Sequence, residues 1–139
     1  MRTRVLVVAV GVVSMVASGA AVVAQSSRAA SGSDTGRTLY REHCASCHGG
    51  DGRGDGPMTA SLRERPTDLT GYARANGGVF PDERLRRVID GRGVGAHGSV
   101  EMPVWGSVFK ATAGGETAAR ARIDAIVGYL RALQERAGD

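Results

Sequence analysis

The sequence of 139 residues contains only two cysteines and few aromatic residues. Phenylalanine, tyrosine and the single tryptophan together make up 4% of the chain. A zinc site assembled from two cysteine pairs is not expected, because no second pair follows at ligand spacing. Few aromatics and thinly spread charges argue against a nucleic-acid partner, although the formal net charge is +4. No segment shows the alternating polarity of a strand, and no repeat is evident, so the sequence predicts an all-α fold.

The two cysteines lie close together and are followed by a histidine. Cys44 and Cys47 are separated by two residues, and His48 comes directly after them. This pattern is typical of c-type haem attachment. Both thiols can reach one edge of a porphyrin and form thioethers with its vinyl groups, and the next imidazole can bind the iron. We therefore predict one haem c, covalently bound through Cys44 and Cys47, with no free thiol remaining.

Two other interpretations of the cysteine pair compete with haem attachment. A redox-active dithiol is expected in a βαβ context, whereas the flanking sequence here is helical and glycine-rich in pattern. The pair could also form a plain disulfide in an exported protein. We favour haem attachment, because the spacing of the cysteines and the histidine that follows them both match it.

The amino-terminal residues have the pattern of an export signal. Arg2 and Arg4 precede an uncharged run over residues 5–24 that is rich in valine and alanine. Small residues before the expected cut predict a signal peptide, residues 1–24, cleaved after Ala24. The run is also just long enough to span a bilayer, so an uncleaved anchor is the alternative. A periplasmic location agrees with the haem motif, because covalent haem is attached outside the cytoplasm in bacteria.

The rest of the chain predicts one small helical domain. Residues 25–33 are rich in Ser, Ala and Gly and predict a flexible lead-in, and residues 34–139 form the domain. Helices are expected from Asp34 into Cys44, from Asp82 to Asp90, and from about Glu116 to Glu135. A short helical turn is expected over residues 58–65, and the glycine-rich residues 92–108 are expected to be a loop. The apolar stripe of the last helix comprises Ala119, Ile123, Ile126, Val127, Leu130 and Leu133.

Four features of the sequence together resemble class I monohaem cytochromes c, and the resemblance covers about residues 34–134. They are Gly36 and Tyr40 ahead of the haem motif, Pro66-x-Asp68-Leu69-Thr70, Met102-Pro103-x-Trp105-Gly106, and Tyr129-Leu130. The haem motif and the methionine motif are specific to the family, whereas the other two are supportive. The resemblance implies a small cytochrome c-like helical domain wrapped around one covalent haem.

The resemblance also implies residue roles. His48 would be the proximal iron ligand and Met102 the distal ligand through its sulfur. The carbonyl of Pro66 would accept a hydrogen bond from His48 Nδ1–H and fix the ring. Trp105 would pack against the haem edge, with its indole N–H able to reach a propionate. Gly36 and Tyr40 would meet Ile126 and Tyr129 where the first and last helices cross.

Other residues compete with Met102 for the distal position. Met58 lies only ten positions beyond His48 and is expected to pack in the core. His97 is the main rival, since it belongs to the same loop as Met102, but a lone loop histidine is usually solvated or hydrogen-bonded. His43 is expected on the solvent side of its helix. Arg65 and Arg92 are possible partners of the haem propionates, although solvated arginines are the default.

The expected function is periplasmic electron transfer by a monomer with one low-spin His/Met haem, acting with transient protein redox partners. Filled axial positions leave no open site at the iron, which argues against an enzyme. The first alternative is a dedicated cytochrome subunit of a periplasmic dehydrogenase or oxidase complex. A haem-based gas binder or peroxidase is a third possibility and needs Met102 to leave the iron. Contact with a membrane is expected only if the leader remains uncleaved.

Overall fold

The computed structural model describes residues 35–92 and 102–137, with side chains described as far as residue 134. Its α-helices are α1 over residues 35–43, α2 (Ala45–His48), α3 (Tyr72–Ala75), α4 (Asp82–Asp90), α5 (Trp105–Thr112) and α6 (Glu116–Ala137). Two 3-10 turns, Thr59–Ser61 and Leu69–Gly71, lie between α2 and α3. These ranges contain no strand, so the all-α prediction is confirmed.

Some sequence predictions fall outside the described residues. These are the signal peptide or anchor over residues 1–24, the lead-in over residues 25–33, and the rival ligand His97. Within the described ranges, no helix combines the length and the apolar character that crossing a membrane requires.

The first and last helices cross with almost no space between their backbones. A Cβ atom on Gly36 would lie 2.0 Å from the carbonyl oxygen of Ala125 and 3.0 Å from the Cβ of Tyr129. The fully buried ring of Tyr40 lies 5.2 Å from the ring of Tyr129. The prediction that Gly36 permits a close helix approach is therefore confirmed, with the backbone of Ala125, beside the expected Ile126, as its nearest neighbour.

The apolar stripe of α6 forms the centre of the core. All six of its predicted members are buried, and they pack with Leu85 and Ile89 of α4 and with Phe109 of α5. Helix α4 has the predicted bounds and ends at Gly91, which adopts a left-handed φ of 73° and donates its N–H to the carbonyl of Arg87. A glycine is favoured at this position because other residues rarely adopt that conformation.

Helix α5 corrects the prediction that residues 92–108 are entirely loop. Trp105 and Phe109 lie one turn apart on this helix, and their rings stack with centroids 5.5 Å apart. Gly106 concealed the helix in the sequence, since glycine is a poor helix former. The structure explains its presence: a Cβ there would lie 2.5 Å from Arg92 Nε and 2.5 Å from Asp90 Oδ1.

Candidate haem site

A cleft lined mostly by apolar side chains brings the predicted site residues together. Its walls include all of the predicted cofactor-binding residues, namely Cys44, Cys47, His48, Pro66, Met102 and Trp105. Apolar residues of α4 and α6 complete the lining, among them Leu85, Ile89, Ile126 and Leu130. The cleft therefore combines thiols, one imidazole and one thioether with an apolar surface.

The haem-attachment motif lies on a single helical turn. The N–H of Cys44 donates to the carbonyl of Tyr40 at 2.8 Å, and the N–H of His48 donates to the carbonyl of Cys44 at 2.9 Å. Residues three and four positions apart lie on the same side of a helix. Cys44, Cys47 and His48 consequently share one face, as attachment of both thiols to one porphyrin edge requires.

The state of Cys44 argues against a redox-active dithiol. No disulfide joins Cys44 to Cys47. Burial raises the pKa of the Cys44 thiol to about 12, and the neighbouring Cys47 adds to the increase. Reactive dithiols need a lowered pKa, because the thiolate is the nucleophile. Both partly buried thiols line the apolar cleft, where each can reach a bound macrocycle.

His48 is held by a single hydrogen bond from its ring. Its Nδ1 lies 3.2 Å from the carbonyl oxygen of Thr67. Burial lowers the pKa of His48, and the bond to Thr67 opposes this in part. In the neutral tautomer that donates Nδ1–H to Thr67, the lone pair of Nε2 remains available to a metal.

The carbonyl that faces His48 corrects the prediction for Pro66. That prediction placed the acceptor on Pro66, but it belongs to the next residue, Thr67. The Pro66 carbonyl instead faces Gly54, where an added Cβ would lie 2.1 Å from its oxygen. The segment is fixed further by the N–H of Leu69, which donates to the carbonyl of Gly52 at 2.7 Å. Pro66 therefore lines the cleft while its carbonyl packs on the loop after the haem motif.

The two described methionines differ sharply in position. Met102 is partly buried, packs against the core and lines the cleft. Met58 is 48% exposed and is not among the lining residues, so the prediction that it packs in the core is wrong. Met58 immediately precedes the 3-10 turn Thr59–Ser61, and its side chain is exposed there.

His43 also corrects the sequence analysis, because its side chain is only 27% exposed and its ring lies in an aromatic cluster. Its centroid is 5.1 Å from the ring of Trp105 and 5.1 Å from the ring of Phe109. His43 follows the buried Leu39 and Tyr40 by four and three positions, so the helical face it shares with them was the signal for its burial. The cluster joins α1 to α5 beside the cleft.

Arg65 and Arg92 have different surroundings. Arg65 lines the cleft, and its Nε donates to the carbonyl of Gly54 at 3.2 Å. Arg92 is bound by Asp90 and Glu116, with hydrogen bonds of 2.7 Å to both carboxylates. These bonds lower the pKa of Glu116 to about 2. The guanidinium of Arg92 is therefore bound by the carboxylates of Asp90 and Glu116, which corrects its proposed pairing with a propionate.

Sequence reasoning missed two hydroxyls that support the attachment turn. The buried Tyr40 hydroxyl donates to the carbonyl of Gly49 at 2.7 Å, and burial raises its pKa. The Thr59 hydroxyl donates to the carbonyl of Cys47 at 3.1 Å. Gly56 packs directly on the same turn, since a Cβ there would lie 2.4 Å from the carbonyl oxygen of Ser46. No sequence pattern marked these two hydrogen bonds or the close approach of Gly56.

The residues of the cleft fit a haem c. Two thiols on one helical face can hold the porphyrin edge, and a neutral imidazole and a thioether are suitable axial donors to haem iron. The apolar lining suits the macrocycle, and Arg65 at the wall offers a cation for a propionate.

Comparison with known proteins agrees with this fit. A family model described as cytochrome c oxidase, cbb3-type, subunit III matches residues 32–130, a range that includes the haem motif, Met102 and most of α6. Neither a curated protein nor a solved structure matches the chain. The family is one of c-type cytochrome domains, which implies covalent haem c and haem-based electron transfer. The matched range covers well over half of the chain, so the protein belongs to the family of cytochrome c oxidase, cbb3-type, subunit III.

Proposed function

We propose that the protein is an exported one-electron carrier in which His48 and Met102 are the axial ligands of a haem bound through Cys44 and Cys47. The observation that carries the proposal is the shared cleft, whose walls include both thiols, the imidazole and the thioether. Family membership supports electron transfer in general. The bound haem would supply the Fe(III)/Fe(II) couple.

The side chains around the cleft define what the protein contributes. The Nδ1–H of His48 donates to Thr67, which fixes the ring and raises the basicity of Nε2. The thioether of Met102 favours the reduced metal and so raises the potential relative to two imidazoles. The apolar lining keeps water away, which also tunes the potential. With both axial positions filled, a gas or peroxide has no open site.

The family description favours a second candidate function. It names a subunit of an oxidase, so the second candidate is a dedicated cytochrome subunit that passes electrons to a catalytic partner. Co-purification in high salt separates the two candidates, because salt weakens the exposed charge pairs of transient complexes. A free carrier elutes alone under these conditions, whereas a permanent subunit retains its partner.

Export and domain limits are part of the proposal. We assign residues 1–24 to a cleaved signal peptide, residues 25–33 to a lead-in and residues 34–139 to the cytochrome domain. The pattern of Arg2, Arg4 and the apolar run supports export to the periplasm. A mass spectrum of the purified protein tests cleavage after Ala24 and the addition of one haem together.

The ligation test compares the two described methionines. Carbon monoxide added to the reduced wild-type protein at neutral pH should scarcely change its spectrum. Met102→Ala should open the distal site and allow rapid, complete binding, whereas Met58→Ala should behave as the wild type because Met58 lies outside the cleft. Rapid binding by the wild type would favour the gas-binder or peroxidase reading. An unchanged spectrum in Met102→Ala would direct attention to His97.

A further inference from the structure

The described chain on either side of residues 93–101 is fixed by one cluster of ion pairs. Arg92 precedes this stretch and donates to both carboxylate oxygens of Asp90 and to both of Glu116, each at 2.7 Å. Its backbone N–H also donates to Asp90 Oδ1 at 3.2 Å. Arg92 thus lies in a planar fork between two carboxylates, the geometry in which guanidinium pairs are strongest.

The same cluster contacts the chain that follows Met102. Asp90 is the last residue of α4, Glu116 is the first residue of α6, and Gly106 is the second residue of α5. A Cβ on Gly106 would lie 2.5 Å from Arg92 Nε and 2.7 Å from Asp90 Cγ. The start of α5 therefore packs on the ion pair without a gap, and Met102 lies three residues before that helix.

We propose that the Arg92–Asp90–Glu116 cluster is a positioning device for Met102, because it holds the start of α5 three residues after the methionine whose sulfur would bind the iron. The inference rests on the proposed function, in which Met102 is the distal ligand. Arg92 does not line the cleft, and it contacts α5 at Gly106, the residue where an added Cβ would lie 2.5 Å from its Nε. It is consequently a positioning residue and not a ligand.

The cluster is expected to change the fraction of molecules in which Met102 is positioned to bind the iron. Exposed ion pairs usually contribute little to global stability. This cluster differs, because it is bidentate and its three side chains are only 25–37% exposed. Releasing the start of α5 from the cluster increases the conformations available to Met102, and ligation weakens in proportion to the competent fraction. The expected effect is therefore on methionine ligation more than on folding.

A matched pair of arginine variants provides the test. Arg92→Gln removes the bidentate pairs with Asp90 and Glu116 and leaves Glu116 only its longer contacts with Arg120 at 3.4 Å and Lys110 at 3.8 Å. Arg86→Gln is its control. Arg86 also joins α4 to α6, through Asp124 at 2.6 Å, and it pairs within α4 with Glu83 at 2.7 Å, but it is not among the atoms nearest to Gly106. The measurements are the rate of carbon monoxide binding to the reduced holoprotein and the methionine–Fe(III) charge-transfer absorption of the oxidised form.

For Arg92→Gln we expect the rate to rise about ten-fold and the charge-transfer band to weaken, since a lost charge-assisted pair shifts a local equilibrium by about that factor. For Arg86→Gln we expect both signals to match the wild type. Arg92→Lys keeps the charge but not the fork, and should give an intermediate rate. It also supplies the comparison if Arg92→Gln does not accumulate as holoprotein.

The outcomes separate this inference from the proposed function. A wild-type protein without the charge-transfer band contradicts Met102 ligation and removes the basis of both. A wild type with the band, together with unchanged rates in Arg92→Gln and Arg92→Lys, overturns only the positioning inference. An equal increase in Arg86→Gln also overturns it, because the effect would then follow from general loosening of α4 and α6.

Discussion

The two sides of the cleft are stabilised in different ways. On the attachment side, Cys44, Cys47 and His48 lie on one turn and are fixed by backbone hydrogen bonds and by Gly56 packed on that turn. On the methionine side, the region around Met102 depends on an aromatic cluster and an ion-pair cluster contributed by separate helices. Short-range bonds make the attachment side rigid, whereas long-range contacts leave the methionine side easier to release. Ligand exchange should therefore begin at Met102.

The largest expected effect comes from breaking the rigid side. In Gly56→Ala the new Cβ would lie 2.4 Å from the carbonyl oxygen of Ser46 and 2.7 Å from that of Ala45. Backbone atoms cannot move aside as a flexible side chain can, so we expect a loss of about 3 kcal/mol in unfolding free energy and poorer haem attachment. Denaturant unfolding and the yield of holoprotein measure the two effects.

Gly50→Ala is the control for that variant, because a Cβ at Gly50 meets no atom within 4 Å. It should change the unfolding free energy by less than about 0.5 kcal/mol. Equal losses in the two variants would show that packing on the attachment turn is not what Gly56 provides.

The second effect is on the methionine side. Trp105→Leu removes a ring that stacks on Phe109 at 5.5 Å and contacts His43 at 5.1 Å. We expect a loss of about 2 kcal/mol, below the usual cost for a fully buried tryptophan, since Trp105 is only half-buried. Carbon monoxide binding to the reduced protein should become faster, while covalent attachment stays complete. A loss of attachment with unchanged binding would reverse the proposed division between the two sides.

The difference between local and long-range contacts also explains how much of the structure could be predicted from the sequence. Helices α4 and α6 were predictable because their apolar residues follow the helical period and Gly91 ends α4. The residues of the cleft followed from the spacing of the haem motif and from the family resemblance. Such features are local in the chain, so a single sequence records them.

The predictions that were wrong concern features that depend on contacts between distant parts of the chain. Helix α5 was missed because Gly106 is present to accommodate Arg92 and Asp90, which lie on other elements. His43 shares a helical face with the buried Leu39 and Tyr40, but the aromatic rings that cover it are more than sixty residues away and are not evident from that face. The hydrogen bond of His48 was assigned to Pro66 and not to Thr67, because the direction of a carbonyl depends on the packing of the whole loop. Tertiary contacts decide each of these points.

A smaller loss of stability is expected from a change on the attachment side. Tyr40→Phe removes only the hydroxyl that donates to the carbonyl of Gly49 at 2.7 Å. Because that carbonyl is buried and loses its partner, we expect a loss of about 1 kcal/mol in unfolding free energy. Carbon monoxide binding should stay slow, as Gly49 belongs to the attachment side. Faster binding in this variant would show that the two sides are coupled.

The smallest effect is expected from acid. Arg92 lowers the pKa of Glu116 from its usual 4.5 to about 2, and it lowers the pKa of Asp90 in the same way. Because both values are lower in the folded protein, the ion pairs contribute fully above the usual value and are lost as the pH falls through the lowered one. The charge-transfer band should therefore weaken between about pH 4.5 and 2. In Arg92→Gln this acid-dependent component should be smaller, because only Arg120 and Lys110 then remain to lower the pKa of Glu116, and an identical acid titration would contradict the assignment.

The most direct test of the account is X-ray absorption at the iron edge of the purified holoprotein, which identifies the ligand atoms themselves. For the wild-type protein we predict one sulfur ligand to the iron, from Met102, with nitrogen at every other position. The sulfur should be lost in Met102→Ala but not in Met58→Ala. Iron surrounded by nitrogen alone in the wild-type protein would contradict it.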